Sequence, residues 1–133
     1  MGRRLPNPSQ RAVVERAEAY QRARLSAPIP ISRLCHIVGL SERGLRNAFY
    51  GVRGMSPKRS LLAERLKGAR RALHEACDRP ATVTDVATHF GFYELGRFAG
   101  TYKRTFGESP SETLRGAYGK SLVGRAPGLE RTR

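Results

Sequence analysis

The feature that most constrains this chain is a pattern that occurs twice. Leu34-Cys35-x-x-x-Gly39-Leu40 returns 52 positions later (34 to 86, 39 to 91) as Val86-Ala87-x-x-x-Gly91-Phe92. One residue is then inserted, and at an offset of 53 (45 to 98, 49 to 102) Leu45 falls on Phe98 and Phe49 on Tyr102. At the same offset Gly54-x-Ser56-Pro57 falls on Gly107-x-Ser109-Pro110. Such self-similarity marks two copies of one supersecondary unit. Each copy holds a short helix, a Gly-centred turn, a second helix and a Ser-Pro helix start.

The hydrophobic spacing is helical. Val83, Val86, Ala87 and Phe90 stand at i, i+3, i+4 and i+7, while Phe98, Tyr102 and Phe106 recur every four residues. Leu62, Leu66, Ala69 and Leu73 predict one stripe along a longer helix from about Ser56 to Glu75, ended by Asp78-Arg79-Pro80. Ser56 and Ser109 suit helix caps, Glu112 completes a capping box on Ser109, and Thr82 with Asp85 forms another. A first helix is expected from Ser9 to about Arg24, with Val13, Ala17 and Tyr20 inward, separated from the first copy by Pro28 and Pro30. Pro30 can seat at a helix start. No segment alternates as a strand does.

The expected fold is therefore all-α: about seven helices forming two helix-turn-helix subdomains joined by a long linker helix. The boundaries drawn from the sequence are 1–8 for an N-terminal linker or tail and 9–55 for the first subdomain. Residues 56–77 then form the linker helix, 78–118 the second subdomain and 119–133 a basic C-terminal tail.

Charge narrows the partner. Lys and Arg number 25 against 11 Asp and Glu, a net +14. Arg3, Arg4, Lys120, Arg125, Arg131, Arg133 and Glu130 sit in the tails, which leaves 19 basic against 10 acidic residues between Ser9 and Tyr118, still +9. A basic folded body favours a polyanion, and on charge alone RNA, an anionic membrane or an acidic protein would serve as well as DNA. No apolar run approaches the ~18 residues of a membrane span, and Met1–Pro6 has no apolar stretch behind it to make a signal peptide. A cytoplasmic address is expected, with Cys35 and Cys77 reduced and buried.

The duplicated unit gives the charge a geometry. A tight turn sets two helices at roughly 90–120°, and the second enters the major groove. Gly39 and Gly91 supply the positive φ of the turn, and the small Cys35 and Ala87 let the two helices approach. The second helices are expected at about Ser41–Tyr50 and Glu94–Thr105. The helix between the copies, about 20 residues, spans roughly 30 Å against about 34 Å for one duplex turn. One chain can thus reach two successive major grooves.

The ordered set of motifs resembles the DNA-binding domain of the AraC/XylS family of bacterial transcription regulators. The resemblance covers about Pro28 to Arg115. It rests on the two patterns above, on Ser41 after Gly39, on Arg65-Leu66-x-x-Ala69-Arg70-x-x-Leu73 between them, and on the two G-x-S-P segments. It implies promoter binding as a monomer or dimer and contact with RNA polymerase. Family members often carry a separate sensor or dimerisation domain, so the chain is expected either as part of a larger regulator or as a short regulator without a sensor. It also implies that Arg65 and Arg70 brace the linker helix, and that positions 43, 46 and 47 approach bases.

Arg43, Arg46 and Asn47 lie off the Leu45/Phe49 stripe, and their chemistry suits base edges: Arg for guanine O6/N7, Asn for adenine N6/N7. In the second copy Gly96 and Gly100 stand where the family often has larger side chains, and Leu95 is apolar, so Arg97 is the candidate reader. That copy is expected to grip backbone and read sequence weakly. Arg53, Lys58, Arg59, Lys103 and Arg104 flank helix ends, where phosphates are commonly held. The aromatic stripe is expected in the core.

His36, His74 and His89 have no metal-ligand spacing with either cysteine, and no phosphate loop or nucleophile motif is present. No catalytic residue, metal or cofactor is expected. Two other readings explain part of the data: a non-specific basic helical RNA-binding module and a helical protein-interaction module. The RNA-binding module gives no reason for the duplication or for the length of the linker helix, and loss of all DNA affinity at low salt would favour the interaction module.

Overall fold

The computed structural model describes residues 8–76 and 81–124. Among them the chain is all-helical: α1 (Pro8–Arg22), α2 (Ile31–Val38), α3 (Glu42–Arg53), α4 (Pro57–His74), α5 (Val83–His89), α6 (Leu95–Phe106) and α7 (Pro110–Gly124). Two compact units meet inside α4, the first ending at Arg65 and the second starting at Leu66. Each half of α4 is thus part of a different unit.

In the N-terminal unit, α1 packs on α2 and α3 around Val14, Ala17, Leu34, Val38, Leu45, Ala48, Phe49 and Leu61. The face that α1 buries differs from the expected one. Val14, Ala17, Glu18 and Gln21 are buried, whereas Val13 and Tyr20 are only half-buried. Two polar side chains can be inside because other helices satisfy them: Arg53 pairs with Glu18, and Gln21 Nε2 donates to the Leu61 carbonyl at 3.0 Å. Leu61, not Leu62, is the buried leucine of this half of α4. Arg16 donates to the Ile37 carbonyl at 2.8 Å, satisfying the C-terminal end of α2.

In the C-terminal unit the expected stripes hold at their centres, while Val83, Phe90, Phe92 and Phe106 are only half-buried. Leu66, Ala69 and Leu73 of α4 are buried, as are Val86 and Ala87 of α5 and Phe98 and Tyr102 of α6. The rings of Phe92, Phe98, Tyr102 and Phe106 run in sequence with centroids 4.7, 5.7 and 4.7 Å apart, within range of favourable aromatic packing. Arg70 sets its guanidinium 5.0 Å from the Phe106 centroid, a brace from α4 onto α6. The Tyr102 hydroxyl donates to Thr113 Oγ1 of α7 at 2.8 Å, and Thr113 in turn bonds Glu108.

The helix starts are those read from side-chain chemistry. Ser56 Oγ accepts from the Arg59 amide at 3.2 Å, and Thr82/Asp85 and Ser109/Glu112 each form a reciprocal capping box. The helix-ending role expected of Asp78-Arg79-Pro80 and the burial of Cys77 lie outside the described residues. Cys35 is half-buried rather than buried, and burial pushes its thiol up from its ordinary value. At the far end α7 continues to Gly124, into the segment expected as tail. A single glycine such as Gly119 costs about 1 kcal/mol relative to alanine and need not stop a helix.

Candidate nucleic-acid interface

Helix α3 is built to show one face. Gly39 ends α2 at φ 75°, a conformation that a side chain would strain, and its amide donates to the Cys35 carbonyl at 2.8 Å. Two residues on, Ser41 caps α3 by accepting from the Gly44 amide at 3.1 Å. Leu45, Ala48 and Phe49 are buried, so the opposite face must point outward. It carries Arg43, Arg46, Asn47 and Tyr50, at i, i+3, i+4 and i+7, all exposed.

Three of these were expected from the sequence, and Tyr50 was not. Its signal was present in the same spacing carried one turn further. Arg43 and Asn47 have no polar partner within the described residues, and Arg46 meets Glu42 at 4.0 Å with both side chains more than half exposed. A pair this long and wet contributes little, so Arg46 is available to another acceptor.

Arg53, at the end of the same helix, is already paired within the protein. Its Nε and Nη2 each bond a carboxylate oxygen of Glu18 at 2.7 Å, and the Glu18 side chain is 4% exposed. This bidentate bond to Glu18 holds the guanidinium above its already high ordinary value. Arg53 ties α3 to α1 through this pair. Lys58 and Arg59 are exposed in the first turn of α4, where the positive end of the helix also favours an anion.

The corresponding face of α6 is sparser. Gly91 makes the turn at φ 85°, and Glu94, just before α6, gives that helix no side-chain cap. Arg97 pairs with Glu94 at 3.3 Å while 81% exposed. Tyr93 and Leu95 are exposed beside it, and a Cβ built on Gly96 meets nothing within 4 Å. Lys103 and Arg104 are exposed in the last turn, and Arg104 donates to Thr101 at 3.3 Å. The structure thus leaves five cations on α3 and α6, Arg43, Arg46, Arg97, Lys103 and Arg104, facing solvent beside one polar amide, Asn47.

A family model described as a helix-turn-helix domain matches residues 34–116. The crystal structure of a probable AraC family transcriptional regulator from Rhodopseudomonas palustris superposes with a TM-score of 0.69 at 40% identity, covering 80% of this chain and 97% of that one. The chain belongs to the AraC/XylS family.

It carries the DNA-binding domain of AraC-family transcription regulators. The probable thc operon regulatory protein of Rhodococcus erythropolis is 39% identical over 110 residues, which are 83% of this chain and 33% of that protein. The XylDLEGF operon transcriptional activator of Pseudomonas putida is 36% identical over 109 residues, 82% of this chain and 33% of the relative. The AraC-type chain thus spans about a third of the length of these curated relatives. No helix among its described residues is long and apolar enough to cross a membrane.

Proposed function

We propose that this AraC-type domain recognises a promoter sequence by placing α3 and α6 in successive major grooves, with α3 as the main reader. The observation that carries this is the outward face of α3: Arg43, Arg46 and Asn47 project from a helix whose opposite side is sealed into a core. Rigid presentation matters because a bidentate base contact tolerates little displacement. Arg97 is the reader on α6, and Lys58, Arg59, Lys103 and Arg104 hold phosphates. The 18 residues of α4, roughly 27 Å of helix, are supported in a linking role by their similarity to one duplex turn.

In this reading the domain works within a longer regulator that contacts RNA polymerase and carries a sensor or dimerisation domain. The share of the relatives that the chain covers supports that view. The protein acts in the cytoplasm and performs no catalysis.

The test is selection of bound duplexes from a random pool at about 150 mM salt. A motif of two blocks one helical turn apart supports the reading. Single-base scanning should then show larger penalties in the block under Arg43 and Arg46. Equal penalties in both blocks would end the assignment of α3 as main reader, and binding without an enriched motif would end base reading altogether.

A further inference from the structure

Two arginines of the N-terminal unit, outside the interface above, converge on one phenol. The guanidinium carbon of Arg24 lies 3.9 Å from the centroid of the Tyr20 ring, and Arg33 donates to the Tyr20 hydroxyl at 3.4 Å. Arg24 also reaches the Tyr20 carbonyl at 3.5 Å. Both arginines are exposed, and neither forms an ion pair among the described residues.

The surroundings make the arrangement more electropositive. Arg33 lies in the first turn of α2, which contains no acidic residue, and Pro30 supplies no side-chain cap there. A cation at this end opposes the helix dipole, and a second cation beside it adds repulsion. Interior packing does not require either head group to be there. A phosphate oxygen between them would convert both costs into charge-assisted hydrogen bonds, and the planar guanidinium fork suits that geometry.

We propose that Arg24 and Arg33, positioned by Tyr20, form a pincer for one phosphate of the duplex backbone beside the block read by α3. The proposal rests on the reading that α3 enters the groove. Leu34 and Val38 of α2 share a core with Leu45 and Phe49 of α3, so the two helices move as one body. In a helix-turn-helix the first helix crosses the backbone while the second lies in the groove, which brings the start of α2 to the phosphates.

The experiment measures affinity against salt concentration for the selected duplex and for an unrelated one. It compares the wild type with the Arg24→Ala/Arg33→Ala double variant and with Arg33→Gln, melting curves confirming that each is folded. The expected result for the double variant is a log–log salt slope shallower by about 1 and affinity down about three- to tenfold at ~0.1 M salt. Both duplexes should lose equally, and Arg33→Gln should show the same change in smaller measure.

An unchanged slope beside normal wild-type binding overturns the pincer and leaves groove reading intact. A changed ratio between the two duplexes overturns it differently, by making one of these arginines a base reader. Stabilisation of the wild type alone by inorganic phosphate, with coincident duplex slopes, would mean a free-anion site and also overturns it. A wild type that binds no duplex overturns the pincer and the groove reading together.

Discussion

Arg53 holds Glu18 through two parallel hydrogen bonds of 2.7 Å, joining the end of α3 to the middle of α1. The carboxylate is almost fully buried, while the guanidinium side chain is 36% exposed. The helix that offers Arg43, Arg46 and Asn47 outward is thereby anchored by a cation turned inward.

Removing Arg53 should therefore act on folding before it acts on DNA. Arg53→Ala strands a buried carboxylate and should destabilise the N-terminal unit by about 2–4 kcal/mol, less than for a fully buried pair because the arginine keeps some water. Glu18→Gln with Arg53→Ala should recover part of that loss. Denaturant melts of the single and double variants check this, and a stable Arg53→Ala with weakened salt dependence of DNA binding would favour the phosphate role instead.

Arg46→Ala should cost about 1–3 kcal/mol of affinity for the selected duplex and relax one base position. The 4.0 Å pair with Glu42 does not compete, because both groups remain hydrated. Lys58→Ala should instead weaken all duplexes alike. Competition binding against single-base variants separates the two outcomes.

Two glycines should respond oppositely to alanine. At Gly68 a Cβ would lie 2.5 Å from the Phe90 ring, so Gly68→Ala forces a repacking that costs about 1–3 kcal/mol. At Gly96 the space is open, and Gly96→Ala should stabilise α6 by about 0.5–1 kcal/mol. Thermal melts of the two variants should move in opposite directions.

Burial raises the Tyr102 phenol above its ordinary value, against a smaller opposing effect of its hydrogen bond with Thr113. Its neutral form therefore belongs to the folded state. This contribution is intact below the ordinary tyrosine value of about 10 and is lost as pH rises through the elevated one. The wild type should lose stability faster than Tyr102→Phe above about pH 10, although Tyr102→Phe is weaker at pH 7 by about 1 kcal/mol. Melting both proteins between neutral and alkaline pH checks the sign.

Much of this was legible in one dimension. The turn glycines Gly39 and Gly91 stand where φ is positive, and the Ser56, Thr82 and Ser109 caps bond amides three residues on. The Phe98/Tyr102/Phe106 stripe packs inward because four-residue spacing puts those rings on one face. Tyr50 lies one turn further along the same outward stripe, seven residues after Arg43.

The sequence by itself determined the helices, their turns and caps, the duplication and the outward placement of Arg43, Arg46 and Asn47. These depend on neighbours within about four residues, where backbone geometry is set by residue type. Only the tertiary structure decided which polar residues are internal. Glu18 and Arg53 are 35 positions apart, and nothing local distinguishes that arginine from Arg46. The buried face of α1 shifted for the same reason: Glu18 and Gln21 are inside because partners on α3 and α4 satisfy them. Charge along a chain is a local property, but what a charge faces is set by packing.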